Sequence, residues 1–96
     1  MTLNEIMGRI TSGAGRCAVK KAHNSARVDL PGTDGVRVVI LKNGAVCVVR
    51  VYERADDHRG MMCSFETGTP REERVVGELA SFLAERSRGA GERRIA

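Results

Sequence analysis

Three thiols, two histidines and twelve carboxylates are the groups in this 96-residue sequence with the chemistry to serve as nucleophiles, ligands or general acids and bases. Cys17 lies near His23 in the chain, but a cysteine nucleophile needs a positioned base and an oxyanion site, and the sequence locates neither. Asp56, Asp57 and His58 precede Cys63 without any recognised ligand spacing, so they read as a polar loop and no metal is expected. Ser12-Gly13-Ala14-Gly15-Arg16 is glycine-rich like a phosphate loop. It lacks the GxxxxGK[ST] pattern and follows a helical segment rather than a strand, so no nucleotide or other cofactor is expected. The chain therefore reads as a non-enzymatic protein whose function rests on charge and surface.

Lys and Arg total 16 against 12 Asp and Glu, giving a net charge of +4. The distribution is uneven: residues 1–50 carry eight basic and three acidic groups, residues 51–85 four and eight, and residues 86–96 four and one. A positive half on a small protein attracts nucleic acid, a nucleoprotein or an acidic protein surface. The longest apolar stretch, near 44–49, is far too short to span a bilayer, and the first ten residues lack the basic and apolar regions of a secretion signal. An odd number of cysteines with no CxxC spacing fits a reducing, cytoplasmic setting. Cys47 and Cys63 fall inside apolar strand patterns and read as small buried hydrophobes.

Local patterns supply the elements. Thr2-Leu3-Asn4-Glu5 has capping-box spacing, and Leu3, Ile6, Met7 and Ile10 fall on one helical face that ends at Ser12-Gly13. Residues 16–27 carry Arg16, Lys20, Lys21 and Arg27 with no acid; their alternation is weak, and an irregular or partly extended segment is expected. Arg27 to Leu30 alternates as a short strand. Val36 to Arg54, broken by Asn43-Gly44, predicts a hairpin with a type I′ turn. That turn would set Arg37 directly opposite Arg50, with Val36, Val38, Ile40, Cys47, Val49 and Val51 on the core side. Met61 to Glu66 predicts the next strand, with Met61, Cys63 and Phe65 inward. Thr69-Pro70-Arg71-Glu72 predicts a second capping box and a helix, with Gly89 as its C′ residue.

Together these imply an α+β fold: an antiparallel three- to four-stranded sheet with an N-terminal and a C-terminal helix packed on one face. Residues 1–88 form a single domain and 89–96 a flexible basic tail. With aromatics at only 3%, the core is aliphatic and thin, which argues against a large enzymatic cavity. The other sheet face would carry Arg37 and Arg50 as a like-charged pair that needs a counter-ion, with Tyr52 for base stacking and Arg54 as a further cation. Arg16, Lys20, Lys21 and Arg27 would extend it, and the Arg86, Arg88, Arg93 and Arg94 tail is a further candidate. Val39, Leu41, Val46 and Val48 share that face and offer a protein partner or a homodimer an apolar patch.

The run GVRVVILKNGAVCVVRVYERADDHRG, followed by the third strand and TPREERVVGELASFLAE, resembles the hairpin, strand and helix of single-stranded-DNA-binding transcriptional coactivators over residues 35–85. The resemblance rests on hairpin shape, Arg50-x-Tyr52 and Pro70. The element order also resembles the double-stranded-RNA-binding domain, although Pro70-Arg71-Glu72-Glu73 replaces that family's lysine-rich helix start. In size and charge layout the chain is similar to small phage-encoded inhibitors, including anti-CRISPR proteins. These resemblances imply binding to nucleic acid or a nucleoprotein complex through the basic sheet face, or inhibition by occupying a host complex's surface. Independently of these resemblances, the hydropathy and ligand spacings above lead to the expectation of no membrane, metal or cofactor.

Overall fold

The structure is a computed structural model that describes the backbone of residues 1–95 and the side chains of residues 1–89. The N-terminal capping box forms as its spacing predicts. The Glu5 amide donates to Thr2 Oγ1 at 3.2 Å and the Thr2 amide donates to Glu5 Oε1 at 2.9 Å. Helix α1 (Leu3–Thr11) follows and buries Ile6, Met7 and Ile10. Ser87 on the last helix donates to the Ala14 carbonyl, tying down the turn after α1.

The sheet has five strands, all antiparallel and in sequential order: β1 (Ala18–Lys21), β2 (Ser25–Asp29), β3 (Arg37–Asn43), β4 (Val46–Tyr52) and β5 (Met61–Glu66). This corrects the expected count of three or four. The added strand is β1, in the segment expected to be irregular, and all four of its residues are exposed. An edge strand buried on neither side has no alternation to reveal it, because burial is what writes a period of two into a strand.

In the middle strands burial does alternate. Val28, Val38, Ile40, Cys47, Val49 and Phe65 point to one side and join a single core with Ile6 and Ile10 of α1 and Val76 and Leu83 of the C-terminal helix. The remaining parity is intermediate or exposed in β2, β3 and β4. Met61, expected inward, is 66% exposed at the start of β5.

The β3–β4 hairpin turns one residue later than expected. Asn43 pairs with Val46, leaving Gly44 and Ala45 as the loop, so Arg37 faces Tyr52 and Arg50 faces Val39. Arg37 and Arg50 are therefore not directly opposed. Gly44 takes φ +61° while no non-glycine residue among those described, Ala45 included, has positive φ, the signature of a type II′ rather than a type I′ turn. Ala45 cannot cheaply adopt the second positive φ of type I′, so glycine occupies the first central position. The register moves by two residues, which preserves every inward and outward assignment.

Helix α2 (Pro70–Ile95) begins at the expected proline, but its first turn is not the expected reciprocal box. The Thr69 hydroxyl donates to the Glu66 carbonyl at 2.6 Å. Glu72, only 4% exposed, instead accepts from the Gly68 amide at 3.3 Å and from the Met1 ammonium at 2.9 Å. The helix also passes through Gly89, which lacks the positive φ of a C′ glycine. The side chains of the expected basic tail beyond Gly89, Arg93 and Arg94 included, lie outside the described residues.

The Met1 ammonium, assisted by the Gly68 amide, holds the Glu72 carboxyl below its ordinary value of 4.5. Its contribution to stability is thus complete above that value and is lost as pH falls through the lower folded one. Glu72→Ala should cost about 1–3 kcal/mol at pH 7, because it strands the donors around a buried acceptor. In urea titrations the difference between wild type and variant should narrow as the pH is taken down to 3.

Candidate functional site

The exposed side of the sheet is built by register. Cross-strand neighbours put Ala18, Asp29, Arg37 and Tyr52 in one row and Lys20, Arg27, Val39, Arg50 and Met62 in the next. A third row holds Ser25, Leu41, Val48 and Ser64. The face thus has an apolar centre of Val39, Leu41, Val46, Val48 and Met62, with cations toward β1 and the loop ends. Leu41 is 51%, Val46 42% and Met62 61% exposed, large values for side chains of this type.

The cations are partly neutralised within the chain. Asp29 is shared: its Oδ1 accepts from Arg37 Nε at 2.7 Å, and its Oδ2 lies 3.0 Å from Arg27 Nε. The Arg27 contact is an ion pair without hydrogen-bond alignment, since that buried nitrogen has no hydrogen-bond partner. Asp29 is thus the counter-ion of Arg37, and the sequence carried the signal, because Arg27 and Asp29 are two residues apart on one strand face. Arg50 pairs with no carboxylate among the described residues. It donates to the Arg59 carbonyl at 3.2 Å and to Met62 Sδ at 3.4 Å, so it braces the β4–β5 loop.

That loop is shaped by Asp57, whose Oδ1 accepts from the amides of Gly60 at 2.9 Å and Arg59 at 3.2 Å. The Gly60 bond, then that of Arg59, holds the Asp57 carboxyl below its usual range. Gly60 has φ +69°, and a Cβ there would lie 2.8 Å from Arg50 Cγ and 3.0 Å from the Val51 carbonyl. Glycine is therefore required for Arg50 to cross it. Beside the loop, a cleft of about 330 Å³ brings Arg37, Tyr52, Arg54 and His58 together with Asp29 and Asp57. Arg54 is past the end of β4 and 3.6 Å from Asp56.

The second predicted cluster is divided. Lys20 and Arg27 are cross-strand partners on the exposed side, whereas Lys21 belongs to the opposite parity and donates to Asn4 of α1 at 2.8 Å. Arg16 precedes β1, is exposed and contacts no partner among the described residues. Arg86 of the predicted tail cluster instead lies over the Phe82 ring and 3.4 Å from Glu53.

Comparisons with protein-family models, with curated proteins and with solved structures give no match. No group of three or more His, Cys, Asp or Glu among the described residues is placed to hold a metal ion, and no described helix is long and apolar enough to cross a membrane. Burial pushes the thiols of Cys17, Cys47 and Cys63 up, away from the thiolate a nucleophile needs.

Two outcomes follow from this geometry. Gly60→Ala should destabilise the domain by about 1–3 kcal/mol through enforced positive φ and displacement of Arg50, read as a lower urea midpoint. All three thiols should react with a thiol reagent at pH 7.5 more slowly than free cysteine, with Cys47 slowest until the protein is unfolded.

Proposed function

We propose that the chain is a non-enzymatic binding module that docks a protein partner through the side of its sheet away from the helices. In this reading both helices cover one face and the apolar centre of the other meets the partner. The carrying observation is the contiguous exposure of Leu41, Val46 and Met62 around half-buried Val39 and Val48. Water-exposed apolar area of this kind is released on association, and an interface core is depleted in charge with charged groups at its rim. Lys20, Arg27 and Arg50 form such a rim. They favour a partner surface with an apolar centre and acidic margins, as a host complex offers to an inhibitor that occupies its surface.

A second reading, direct contact with nucleic acid, is favoured by the opposed cations Lys20 and Arg27 at one edge of the same face. It is weakened by the prior engagement of Arg37 with Asp29 and of Arg50 with a backbone carbonyl, and by Tyr52 being the single ring there.

Leu41→Glu places a charge at the centre of the apolar patch without touching the core. In affinity capture it should lose a partner that wild type and Glu78→Lys, on α2, retain; equal retention by all three would sink the docking face. Anisotropy with labelled single-stranded DNA and RNA tests the second reading. Three phosphate contacts would lower affinity for a single strand roughly 20-fold between 50 and 200 mM salt, whereas apolar docking would leave no such slope.

A further inference from the structure

The two outer edges of the sheet are treated differently. In β5 the ladder alternation turns the main-chain groups of Met62, Ser64 and Glu66 outward. Two of their carbonyls are capped from within the chain: Arg71 Nε donates to the Ser64 carbonyl at 2.8 Å and Thr69 Oγ1 to that of Glu66 at 2.6 Å. In β1 the Ala22 amide donates to the Ser25 carbonyl at 2.8 Å, which fixes the alternation, so Val19 and Lys21 turn their amides and carbonyls outward. No described side chain caps them. An edge of this kind is a template for another strand.

The side chains around that edge specify what kind of strand. Toward the helices, Val19 is 42% exposed beside a groove of about 530 Å³ between α1 and β1, floored by Met7, Gly8 and Thr11. Space above Gly8 is open, with nothing within 4 Å of where a Cβ would stand. On the other side of β1, Lys20 stands beside Arg27, and residues 16–27 contain no acid. Lysines on an edge repel a second copy of the same edge, which disfavours self-pairing and favours a strand of opposite charge.

We propose that β1 is a strand-addition site for an extended acidic peptide segment of alternating acidic and apolar residues. The segment adds antiparallel to β1. Its apolar side chains enter the α1–β1 groove opposite Val19, its carboxylates meet Lys20, and its main chain bonds the free groups of Val19 and Lys21. This site is separate from the apolar patch around Leu41.

The test uses a fluorescein-labelled peptide of four Glu-Val repeats and the full chain. The expected result is saturable binding that the Lys-Val counterpart does not show, with exchange of the Val19 and Lys21 amides slowed at least about tenfold at saturation. Val19→Pro removes an outward amide that no ladder bond uses, so circular dichroism should be unchanged while affinity falls at least about tenfold. Unchanged affinity in a folded Val19→Pro overturns the proposal. N-methylation of the peptide decides the matter on wild-type protein even where that variant misfolds. Loss confined to methylated valines is expected, since in an antiparallel addition these face β1, and any other pattern overturns the proposal. Leu41→Glu should bind the peptide as wild type does, so failure here and failure of the docking face are read separately.

Discussion

Every feature of the surface depends on one constraint, the burial of alternate residues of β2, β3 and β4 in a single core that residues of both helices also enter. Val28, Val38, Ile40 and Val49 are each fully buried, and their strands have no other way to hide them. Each fully buried aliphatic side chain of this size contributes about 1.5–3 kcal/mol relative to exposure, so slipping one strand by one residue would forfeit several such contributions and bury charges in their place. The outward set is consequently fixed as firmly as the inward one. Arg27, Asp29, Arg37, Arg50 and Tyr52 share a face because their neighbours in sequence share a core.

The same logic explains how much of the fold was legible. The hairpin sides could be read because a strand's period is two and a turn displaced by one residue shifts the pairing by two, which leaves both faces intact. The pairing could not be read, because the choice between turning at Asn43-Gly44 and at Gly44-Ala45 depends on ψ and strand twist rather than on composition. The shift matters for chemistry: it removes the direct opposition of Arg37 and Arg50, and with it the need for a ligand between them. Asp29 then supplies, from the adjacent strand, the counter-charge expected from outside. Strand β1 was hidden for the opposite reason, since residues that pack on neither side carry no burial pattern, and three alanines in 18–26 also suit a helix.

Capping shows where local rules meet tertiary competition. Thr2 and Glu5 form their box because no other described group bonds either side chain. Glu72 has the same spacing from Thr69, yet it sits where the chain's first residue folds back and where the Gly68 amide needs an acceptor. A charge-assisted bond to an ammonium is stronger than one to a neutral amide, so the carboxylate turns that way. Thr69 is then released to cap the Glu66 carbonyl at the end of β5. A helix-start motif has thereby become a device that blunts a sheet edge.

The two edges therefore have unequal standing. β5 is followed directly by α2, whose first turn reaches back over the strand and supplies Arg71 and Thr69 to its carbonyls. β1 follows the short α1 and its turn, which contribute Asn4 to Lys21 and leave the outward backbone of Val19 and Lys21 to water. Lys20 is the hinge between this edge and the broad face, because it points to the same side as Arg27 and Leu41 while sitting on the strand that ends the sheet. A strand added at β1 would carry that face outward by one more row, about 4.8 Å, and place its own side chains beside Lys20. Occupation of the edge would then alter the charge at the rim of the apolar patch, so the two surfaces share one lysine and otherwise use different residues.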